Sequence, residues 1–312
     1  PECFEIEQRL RQELDIPIMH DDQHGTAIIT GAALLNALEV IDKDIKKIKV
    51  VFNGAGASAI SCASLYLALG VRPENLIMCD SKGVIHSERK GLTHEKLKFA
   101  RKTELRNLDE AIRNSDVFVG LSKGNILSPG MVKNMSKNAI VFALANPDPE
   151  ISYELAKSTR DDLIMATGRS DNPNQVNNVL GFPYIFRGAL DVRSTEINEE
   201  MKLAAVYAIA QLAKEPVPEI VNLAYGSRNL SFGPDYIIPK PFDPRLIYTV
   251  APAVAKAAIA SGVAQTSISN WDAYEEDLRN RLGLDDKFIR LVMEKAKTSP
   301  KRVVFNEADN YK

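Results

Sequence analysis

Apolar and polar positions follow two different periods along most of the chain. Short runs of consecutive apolar residues, typical of strands buried on both faces, occur at 48–52, 76–79, 117–121, 139–144 and 163–166. Between these runs the apolar residues recur at helical spacing, which predicts helices at 57–69, 93–102, 108–113 and 130–134. The alternation predicts an α/β fold with a doubly wound, mostly parallel sheet and flanking helices.

Two further patterns flank the alternating region. Near the start of the chain, the apolar run 16–19 predicts a short strand, and the spacing within 26–38 predicts a helix soon after it. Towards the end, long alanine-rich helices are predicted at 199–212 and 246–263. These two helices are candidates either for internal packing or for contacts in an oligomer.

Two adjacent aspartates, Asp21 and Asp22, lie between the first predicted strand and the helix that follows it. Neighbouring carboxylates repel each other, and together they suit a hard divalent cation. Alternatively, one aspartate caps the helix and the other is a solvated surface acid. A metal-binding corner is therefore one of two interpretations at this position.

The most specific local motif follows the strand predicted at 48–52. Residues 54–59 form a G-x-G-x-x-A turn that opens a predicted helix. Such glycines allow the backbone to approach a pyrophosphate, which then meets the amides at the helix N-terminus. Because the turn stands between a strand and a helix, it predicts a dinucleotide site in a Rossmann-type domain. The alternative is a glycine turn needed only for packing of the helix on the sheet.

The next predicted strand leads to Asp80, about 20 residues beyond the glycine turn, where a carboxylate can bind ribose hydroxyls. An acid here favours NAD, because it repels the 2′-phosphate of NADP. However, Ser81 and Lys82 follow directly. Arg89 and Lys90 are also close enough in sequence to donate to a phosphate, unless they are solvated surface charges. NAD and NADP both remain candidates.

Asparagines stand near the ends of two later predicted strands. Asn146 follows the strand at 139–144, and Asn177 and Asn178 lie beyond the strand at 163–166. Their amides can donate to a substrate carboxylate or accept from a ribose hydroxyl. Alternatively, Asn-Pro starts a turn and Asn-Asn caps a helix.

Composition narrows the range of functions. The 312 residues are 45% hydrophobic and 26% charged, with a formal net charge of -2, so no basic surplus indicates a nucleic-acid binder. No apolar run reaches the roughly 20 residues needed to span a bilayer, so no membrane partner is expected. Cys3, Cys62 and Cys79 are too few and too far apart for a disulfide framework, and Cys62 and Cys79 are expected to be buried. A cytoplasmic location is expected.

Taken in order, these motifs closely resemble those of the malic enzymes. The resemblance extends from the start of the chain to about residue 265, and it is carried by segments 17–27, 54–59, 80–83, 145–147 and 177–178. It implies oxidative decarboxylation of malate to pyruvate and CO₂, with reduction of NADP or NAD and with bound Mg²⁺ or Mn²⁺.

The resemblance also implies roles for individual residues. Asp22 is expected to bind the metal, with Asp21 as a second ligand and as a catalytic residue that tunes a lysine base. The residues expected to bind malate are Asn146, Asn177 and Asn178. The residues expected at the dinucleotide are Thr26, Gly54, Gly56, Ala57, Ser58, Asp80, Ser81, Lys82 and Asn146. His20 and His24 have no role in this scheme and are expected to form structural hydrogen bonds.

Three parts are expected along the chain. Residues 1–22 would be a remnant of an N-terminal malic domain with the metal corner, and 23–265 the NAD(P)-binding domain. Residues 266–312 would be a helical linker into the start of a phosphotransacetylase-like domain, because 232–243 look like the bacterial form that often carries this fusion and 303–309 like the first strand of that domain. Alternatively, 303–309 are an ordinary C-terminal strand.

The first residue is not methionine and no signal-peptide pattern follows it, so a piece of a longer protein is expected. The family's lysine base, its tyrosine acid and a further Glu-Asp pair of metal ligands would then lie upstream. Two other functions stay open: a metal-independent hydroxy-acid or amino-acid dehydrogenase, and a dinucleotide-binding or assembly fragment that is inactive alone. A homo-oligomer is expected.

Overall fold

A six-stranded sheet forms the centre of the molecule. The structure, a computed structural model, describes residues 2–227 and 229–282. The strands are β1 (Val50–Asn53), β2 (Leu76–Asp80), β3 (Gly83–Val84), β4 (Val117–Gly120), β5 (Ile140–Ala143) and β6 (Ile164–Thr167). Their order is β3-β2-β1-β4-β5-β6, and every pair is parallel except β2 with the two-residue edge strand β3. The predicted mostly parallel sheet is confirmed.

Helices cover both faces of this sheet. The α-helices of the described residues are α1 (Glu2–Glu13), α2 (Asp21–Val40), α3 (Ala57–Leu69), α4 (His94–Leu97), α5 (Leu108–Ile112), α6 (Pro129–Lys133), α7 (Tyr153–Thr159), α8 (Phe182–Asp191), α9 (Glu199–Leu212), α10 (Glu219–Ala224), α11 (Arg245–Ala260) and α12 (Trp271–Asn280). The helices predicted at 57–69 and 199–212 match α3 and α9 residue for residue. None of the helices in these ranges combines the length and hydropathy that crossing a membrane requires.

The strands are apolar throughout because both faces of the sheet are covered. In β1, Val50 and Phe52 pack into the large core shared with α2 and α3, while Val51 packs into a separate cluster on the opposite face. In β4, Val119 joins the large core and Phe118 joins a cluster with residues of α6 and α7. This alternation is the period of two that a strand imposes on its side chains.

The chain reverses its direction of travel across the sheet between β1 and β4. It passes from β1 to β2 on one side and then returns to place β4 on the other side of β1. The loops that follow β1 and β4 therefore diverge, and a crevice opens between them at the carboxyl ends of the strands. Open α/β sheets bind their ligands at such a point.

The N-terminal prediction was partly wrong. Residues 16–19 form no strand, and α2 begins at Asp21 instead of residue 26, so both aspartates lie in the first helical turn. Pro17 lacks an amide donor for a sheet ladder. Acids in a first turn are also favoured by the helix dipole. The helix predicted at 93–102 is shortened to α4, because the amides of Phe99 and Ala100 bond to carbonyls only three residues back.

The long alanine-rich helices pack inside the molecule. Along α11, Val250, Val254 and Ala258 are fully buried, and α9 buries Ala205 and Ile209 against the same core. These helices therefore do not indicate subunit contacts. Cys62 and Cys79 are buried as predicted. Helix α12 lies within the predicted linker, whereas the strand predicted at 303–309 lies outside the described residues.

Candidate active site

Two cavities open at the carboxyl edge of the sheet. The larger has a volume of about 1160 Å³ and is lined by Asp21, Asp22 and the three candidate asparagines. The smaller has a volume of about 610 Å³ and is lined by the glycine turn and by residues at the end of β2. Leu121 and Ser122, which follow β4, line both cavities. These two residues thus form a wall shared by the acidic cavity and the predicted dinucleotide cavity, which adjoin there.

The glycine turn has the geometry that close approach of a pyrophosphate requires. Gly54 has a φ of +130°, and a Cβ there would lie 2.6 Å from the carbonyl oxygen of Leu121. Gly56 is the N-cap of α3, and a Cβ built on it meets nothing within 4 Å. Ala57 is the first residue of α3. The first amides of α3 are consequently open to an anion.

Asp80 has no acceptor capacity left for a ribose. Its Oδ1 accepts from the amide of Lys82 at 2.9 Å and from Arg89 at 2.7 Å, and its Oδ2 accepts from Arg89 and from Lys96, each at 2.8 Å. A carboxylate offers about four lone-pair positions, and all are occupied. The predicted contact between Asp80 and ribose hydroxyls would therefore require one of these partners to leave.

The Asp80 cluster carries a net positive charge, since one carboxylate faces two cations. Burial raises the pKa of Asp80, but the hydrogen bonds from Lys96, the Lys82 amide and Arg89 outweigh it, and the pKa lies below its ordinary value. Ser81 and Lys96 line the smaller cavity beside this cluster, whereas the side chain of Lys82 is exposed and lines neither cavity.

The acidic pair begins α2 with one acid exposed and one half-buried. Asp22 is exposed into the larger cavity, and Oδ1 of Asp21 is buried without a hydrogen-bond partner. Burial, and then the neighbouring Asp22, raise the pKa of Asp21 against the lowering effect of a hydrogen bond from Asn178. A Cβ at Gly25 would lie 2.1 Å from Oδ1 of Asp21, so this glycine leaves room for the carboxylate.

Asn178 and Thr26 hold Asp21 in place. The Asn178 amide nitrogen donates to Oδ2 of Asp21 at 3.1 Å and to its carbonyl oxygen at 3.3 Å, and the Asn178 Oδ1 accepts from the Thr26 hydroxyl at 3.0 Å. Ser58 extends the same corner, because its hydroxyl donates to the carbonyl oxygen of Asp22 at 2.6 Å. Thr26 and Ser58 line the acidic cavity and not the glycine-turn cavity.

The other two asparagines are more open. Asn146 is exposed into the larger cavity. Asn177 caps a short 3₁₀ turn through its Oδ1, which accepts from the amide of Val179 at 3.1 Å, and this bears out the capping alternative for that residue. Its amide nitrogen makes no hydrogen bond that the described structure shows.

Sequence reasoning missed Arg169, Lys96 and Glu150. Arg169 is the one cation among the described residues that line the larger cavity; its guanidinium is half exposed and pairs with Asp171 at 2.7 Å. Its position just beyond β6, at the carboxyl edge of the sheet, was the available signal. Lys96 and Glu150 carried no local signal, because each acts on residues of another loop.

His24 has the structural role that was predicted. Its Nε2 lies 2.9 Å from Glu7 of α1, and its Nδ1 lies 3.4 Å from the ammonium of Lys202 on α9. The backbone amide of His20 donates to Oε1 of Glu7 at 3.2 Å, whereas its ring Nδ1 is buried without a hydrogen-bond partner. Neither imidazole lines the larger cavity.

The acidic pair fits part of a divalent metal site. The unpartnered oxygen of Asp21 and the exposed carboxylate of Asp22 are hard oxygen donors of the type that Mg²⁺ and Mn²⁺ prefer. Within residues 2–227 and 229–282, however, no third histidine, cysteine, aspartate or glutamate joins them in a ligand cluster. For such a cation the described residues would supply two ligands of a larger set.

The sequence matches one family model over most of this region. A model described as malic enzyme, NAD binding domain, matches residues 23–224. The NADP-dependent malic enzyme of Salmonella typhimurium is 53% identical over 311 residues, which are 99% of this chain and 41% of that protein. An NAD-dependent malic enzyme of Rhizobium meliloti is 50% identical over 313 residues, which are 99% of this chain and 40% of that protein. The chain thus spans about two fifths of the length of these relatives.

A solved structure agrees with the sequence matches. The malic enzyme from Pyrococcus horikoshii superposes with a TM-score of 0.78 at 37% sequence identity, covering 96% of this chain and 65% of that one. The similarity of fold therefore extends over almost the whole chain.

Proposed function

Because the chain belongs to the malic enzyme family, we propose that it forms the dinucleotide-binding and part of the substrate-binding machinery of an enzyme that converts malate to pyruvate and CO₂. The observation that supports this most strongly is the arrangement of the two cavities. The acids and asparagines face one cavity, the glycine turn faces the other, and Leu121 and Ser122 line both. Because the cavities adjoin, a nicotinamide ring held by the glycine turn would lie directly against C2 of the substrate, as hydride transfer requires.

We propose that Asp22 and Asp21 bind a divalent cation together with ligands from outside this chain. The relatives are more than twice as long as the chain, so there is sequence to supply the remaining ligands, the general base and the general acid. When bound, the cation would polarise the C2 oxygen of the substrate. Asn178, with Thr26 behind it, would fix the Asp21 carboxylate in the orientation that binding requires.

For the substrate we propose contacts with Asn146, Asn177 and Arg169. Malate carries two carboxylates, and a cavity that already holds two aspartates needs positive charge or amide donors to accept it. Arg169 can leave the exposed Asp171 for a substrate carboxylate at little cost, because surface ion pairs are weak. Asn178 was predicted to bind malate, but its amide is engaged by Asp21 and Thr26, so we assign it to holding the acid.

For the cofactor we propose NADP in preference to NAD. The Asp80 carboxylate is saturated by its own partners, and the cluster presents excess positive charge at the end of β2, where the 2′-position of the adenosine ribose lies in this fold. Lys96 also lines the smaller cavity, so its ammonium can reach a phosphate there. The repulsion expected from an acid at this position is thereby cancelled.

A second proposal concerns the chain by itself. No lysine or tyrosine of the described residues lines the larger cavity, so no side chain there matches the family's base or acid. We therefore expect the isolated chain to bind a dinucleotide without turning over malate. This corresponds to the fragment alternative raised by the sequence.

The deciding experiment compares this chain with a form extended upstream to the length of its relatives. Each is given malate, Mn²⁺ and either NADP or NAD, and the absorbance of the reduced nicotinamide is followed while pyruvate is quantified. Reduced cofactor with equimolar pyruvate in the extended form supports the malic enzyme reaction. Reduced cofactor without pyruvate would indicate a simple dehydrogenase instead, and absence of turnover in both forms would contradict the proposal.

Replacement of Asp22 tests the metal assignment. In the extended form, Asp22→Ala should reduce metal-dependent turnover by about a hundredfold or more, because one of few inner oxygens is lost. Binding of NADPH, measured by its fluorescence, should be unchanged, since the glycine turn lies in the other cavity. Asp272→Ala is the matched control, an exposed acid in the first turn of α12. Wild-type turnover by the Asp22 variant would contradict the assignment.

A further inference from the structure

A single buried carboxylate connects the two loops that border the cavities. Glu150 is fully buried. Its Oε1 accepts from the amide of Ser122 at 3.2 Å, and its Oε2 accepts from the amide of Ala145 at 3.0 Å. Ser122 belongs to the wall shared by both cavities, and Ala145 precedes Asn146 in the larger one. Glu150 therefore spans the carboxyl ends of β4 and β5.

The protein accommodates this carboxylate at a cost. Glu150 has no ion pair with any described residue, and burial raises its pKa despite the hydrogen bonds from Ala145 and Ser122. Space for it depends on the last residue of β4, because a Cβ at Gly120 would lie 2.2 Å from its carboxyl carbon. A buried, uncompensated acid is unfavourable for stability. Its position between two functional loops calls for a role beyond packing.

The two loops depend on Glu150 to different degrees. Ser122 has other support, because its hydroxyl accepts from the Asn53 amide at 2.6 Å and the neighbouring Leu121 amide donates to the Asn53 carbonyl oxygen. On the other side, the Leu144 amide likewise donates to the Gly120 carbonyl oxygen at 3.1 Å, but no side-chain bond among the described residues corresponds to that between Asn53 and Ser122, and the Ala145 amide donates to Glu150 alone. Among the described backbone bonds, the next one along that loop is at the carbonyl of Pro149.

From this asymmetry we infer that Glu150 is a positioning residue that fixes the loop of Asn146 against the shared wall, and so sets where malate lies relative to the dinucleotide. The inference rests on the proposed function for its substrate. If Glu150 has this role, its loss should disturb the malate side of the site and leave the dinucleotide side nearly intact. A residue with only a stabilising role would disturb neither side selectively.

The first test needs no catalytic activity. Hydrogen-deuterium exchange is measured on this chain and on Glu150→Gln. The glutamine side chain has one acceptor oxygen where the carboxylate has two, so one backbone N–H would face its NH₂ group and lose its hydrogen bond. Exchange in the peptide covering 145–148 should accelerate about tenfold, the effect of losing one buried hydrogen bond, while 121–123 should change far less. Uniform acceleration, or none, would overturn the inference.

Two further variants separate geometry from charge and from stability. Glu150→Asp keeps the charge but is one methylene shorter, so exchange at 145–148 should also accelerate. Wild-type exchange in this variant would contradict a bridging role for Glu150. The Asp variant gives this result even if the Gln variant fails to fold. Asp116→Asn is the matched control, because Asp116 likewise accepts a backbone amide, that of Lys49 at 2.8 Å, but at the opposite edge of the sheet. It should lower stability without changing exchange at 145–148.

The second test uses the extended form with malate and NADP. Glu150→Gln should raise the KM for malate by about tenfold or more and change the KM for NADP far less. An equal change in both constants would overturn the inference. If the wild-type extended form does not turn over malate, the proposed function fails, whereas the exchange experiment still decides the role of Glu150.

Discussion

The two edges of the parallel sheet use acidic residues in opposite ways. At the amino edge, Asp116 accepts the amide of Lys49 and pairs with Lys43 at 2.8 Å, and Asp162 accepts the amide of Asn138 and pairs with Arg160 at 2.7 Å. Each of these acids connects neighbouring segments and is neutralised by a cation.

At the carboxyl edge, three acids have no cationic partner among the described residues, and a fourth has two. Glu150, Asp21 and Asp22 have no ion pair with a described lysine or arginine, whereas Asp80 faces two cations. The same chemical group therefore stabilises the fold at one edge and leaves uncompensated charge at the other. Uncompensated charge is what a cation, a phosphate or a dicarboxylate can recognise.

Of the changes at the carboxyl edge, replacement of Gly120 should lower the free energy of unfolding most. In Gly120→Ala the new methyl group meets the buried Glu150 carboxylate at 2.2 to 2.6 Å, so we expect the free energy of unfolding to fall by about 3 kcal/mol or more. Urea denaturation measures this directly.

Gly130→Ala provides the control for Gly120. A Cβ at Gly130, within α6, meets only the Ser128 hydroxyl, at 3.7 Å, so this change should be neutral or slightly stabilising. If both alanine variants were equally stable, the space reserved for Glu150 would not be important.

Two lysines with similar ion pairs give the sharpest test of the contrast. Lys43 binds Asp116 and Lys96 binds Asp80, each at 2.8 Å. Lys96→Ala should weaken NADPH binding by about tenfold or more, with a smaller effect on NADH, because a charged donor to the phosphate is lost. Lys43→Ala should lower the free energy of unfolding by about 1 kcal/mol and leave both affinities unchanged.

Fluorescence titration and urea denaturation of both lysine variants provide the comparison. A loss of NADPH affinity in the Lys43 variant, or equal losses of NADPH and NADH affinity in the Lys96 variant, would show that the two edges do not divide these tasks.

The smallest expected effect is a difference in pH dependence between two acids. The hydrogen bond from Arg160 lowers the pKa of Asp162 to about 2, so its stabilising effect is present above the ordinary value of 3.8 and is lost as the pH falls towards about 2. Burial raises the pKa of Glu150, so its effect has the opposite sign: the native state is favoured as the pH falls through that raised pKa.

Unfolding free energies of Asp162→Asn and Glu150→Gln, measured against the parent chain between about pH 3 and pH 7, test this difference. The deficit of the Asp162 variant should shrink towards low pH, and that of the Glu150 variant should grow. If the stability deficits of the two variants changed with pH in the same direction, acids at the two edges would not differ in this respect.

Much of the fold and the outline of the site could be predicted from local patterns. The buried strands appear as apolar runs, and the glycine turn identifies the first crossover, because each depends on residues close together in sequence. Strand ends then bring Asp80 and Asn146 to one edge, since parallel strands share a direction. The start of α2 was predicted too late because the favourable position of Asp21 and Asp22 in the helix dipole is not part of the apolar period.

The remaining features depend on pairing between distant residues. Asn178 contacts Asp21 across 157 positions, so the sequence around Asn178 does not reveal that its amide is occupied. Lys96 reaches Asp80 only because α4 folds back beside β2, and Glu150 contacts two loops that are neighbours only in the sheet. Long-range geometry decides these roles, and no local pattern encodes it.

The thin wall formed by Leu121 and Ser122 constrains how this protein can diverge. A substitution at either position touches two binding preferences at once, so most changes there would be pleiotropic and purged by selection. Lys96 lines one cavity alone and can vary without this penalty. Changes in cofactor preference are therefore expected at the edge of the sheet, away from the shared wall. A directed-evolution library should give most of its useful variants at positions 81, 89 and 96.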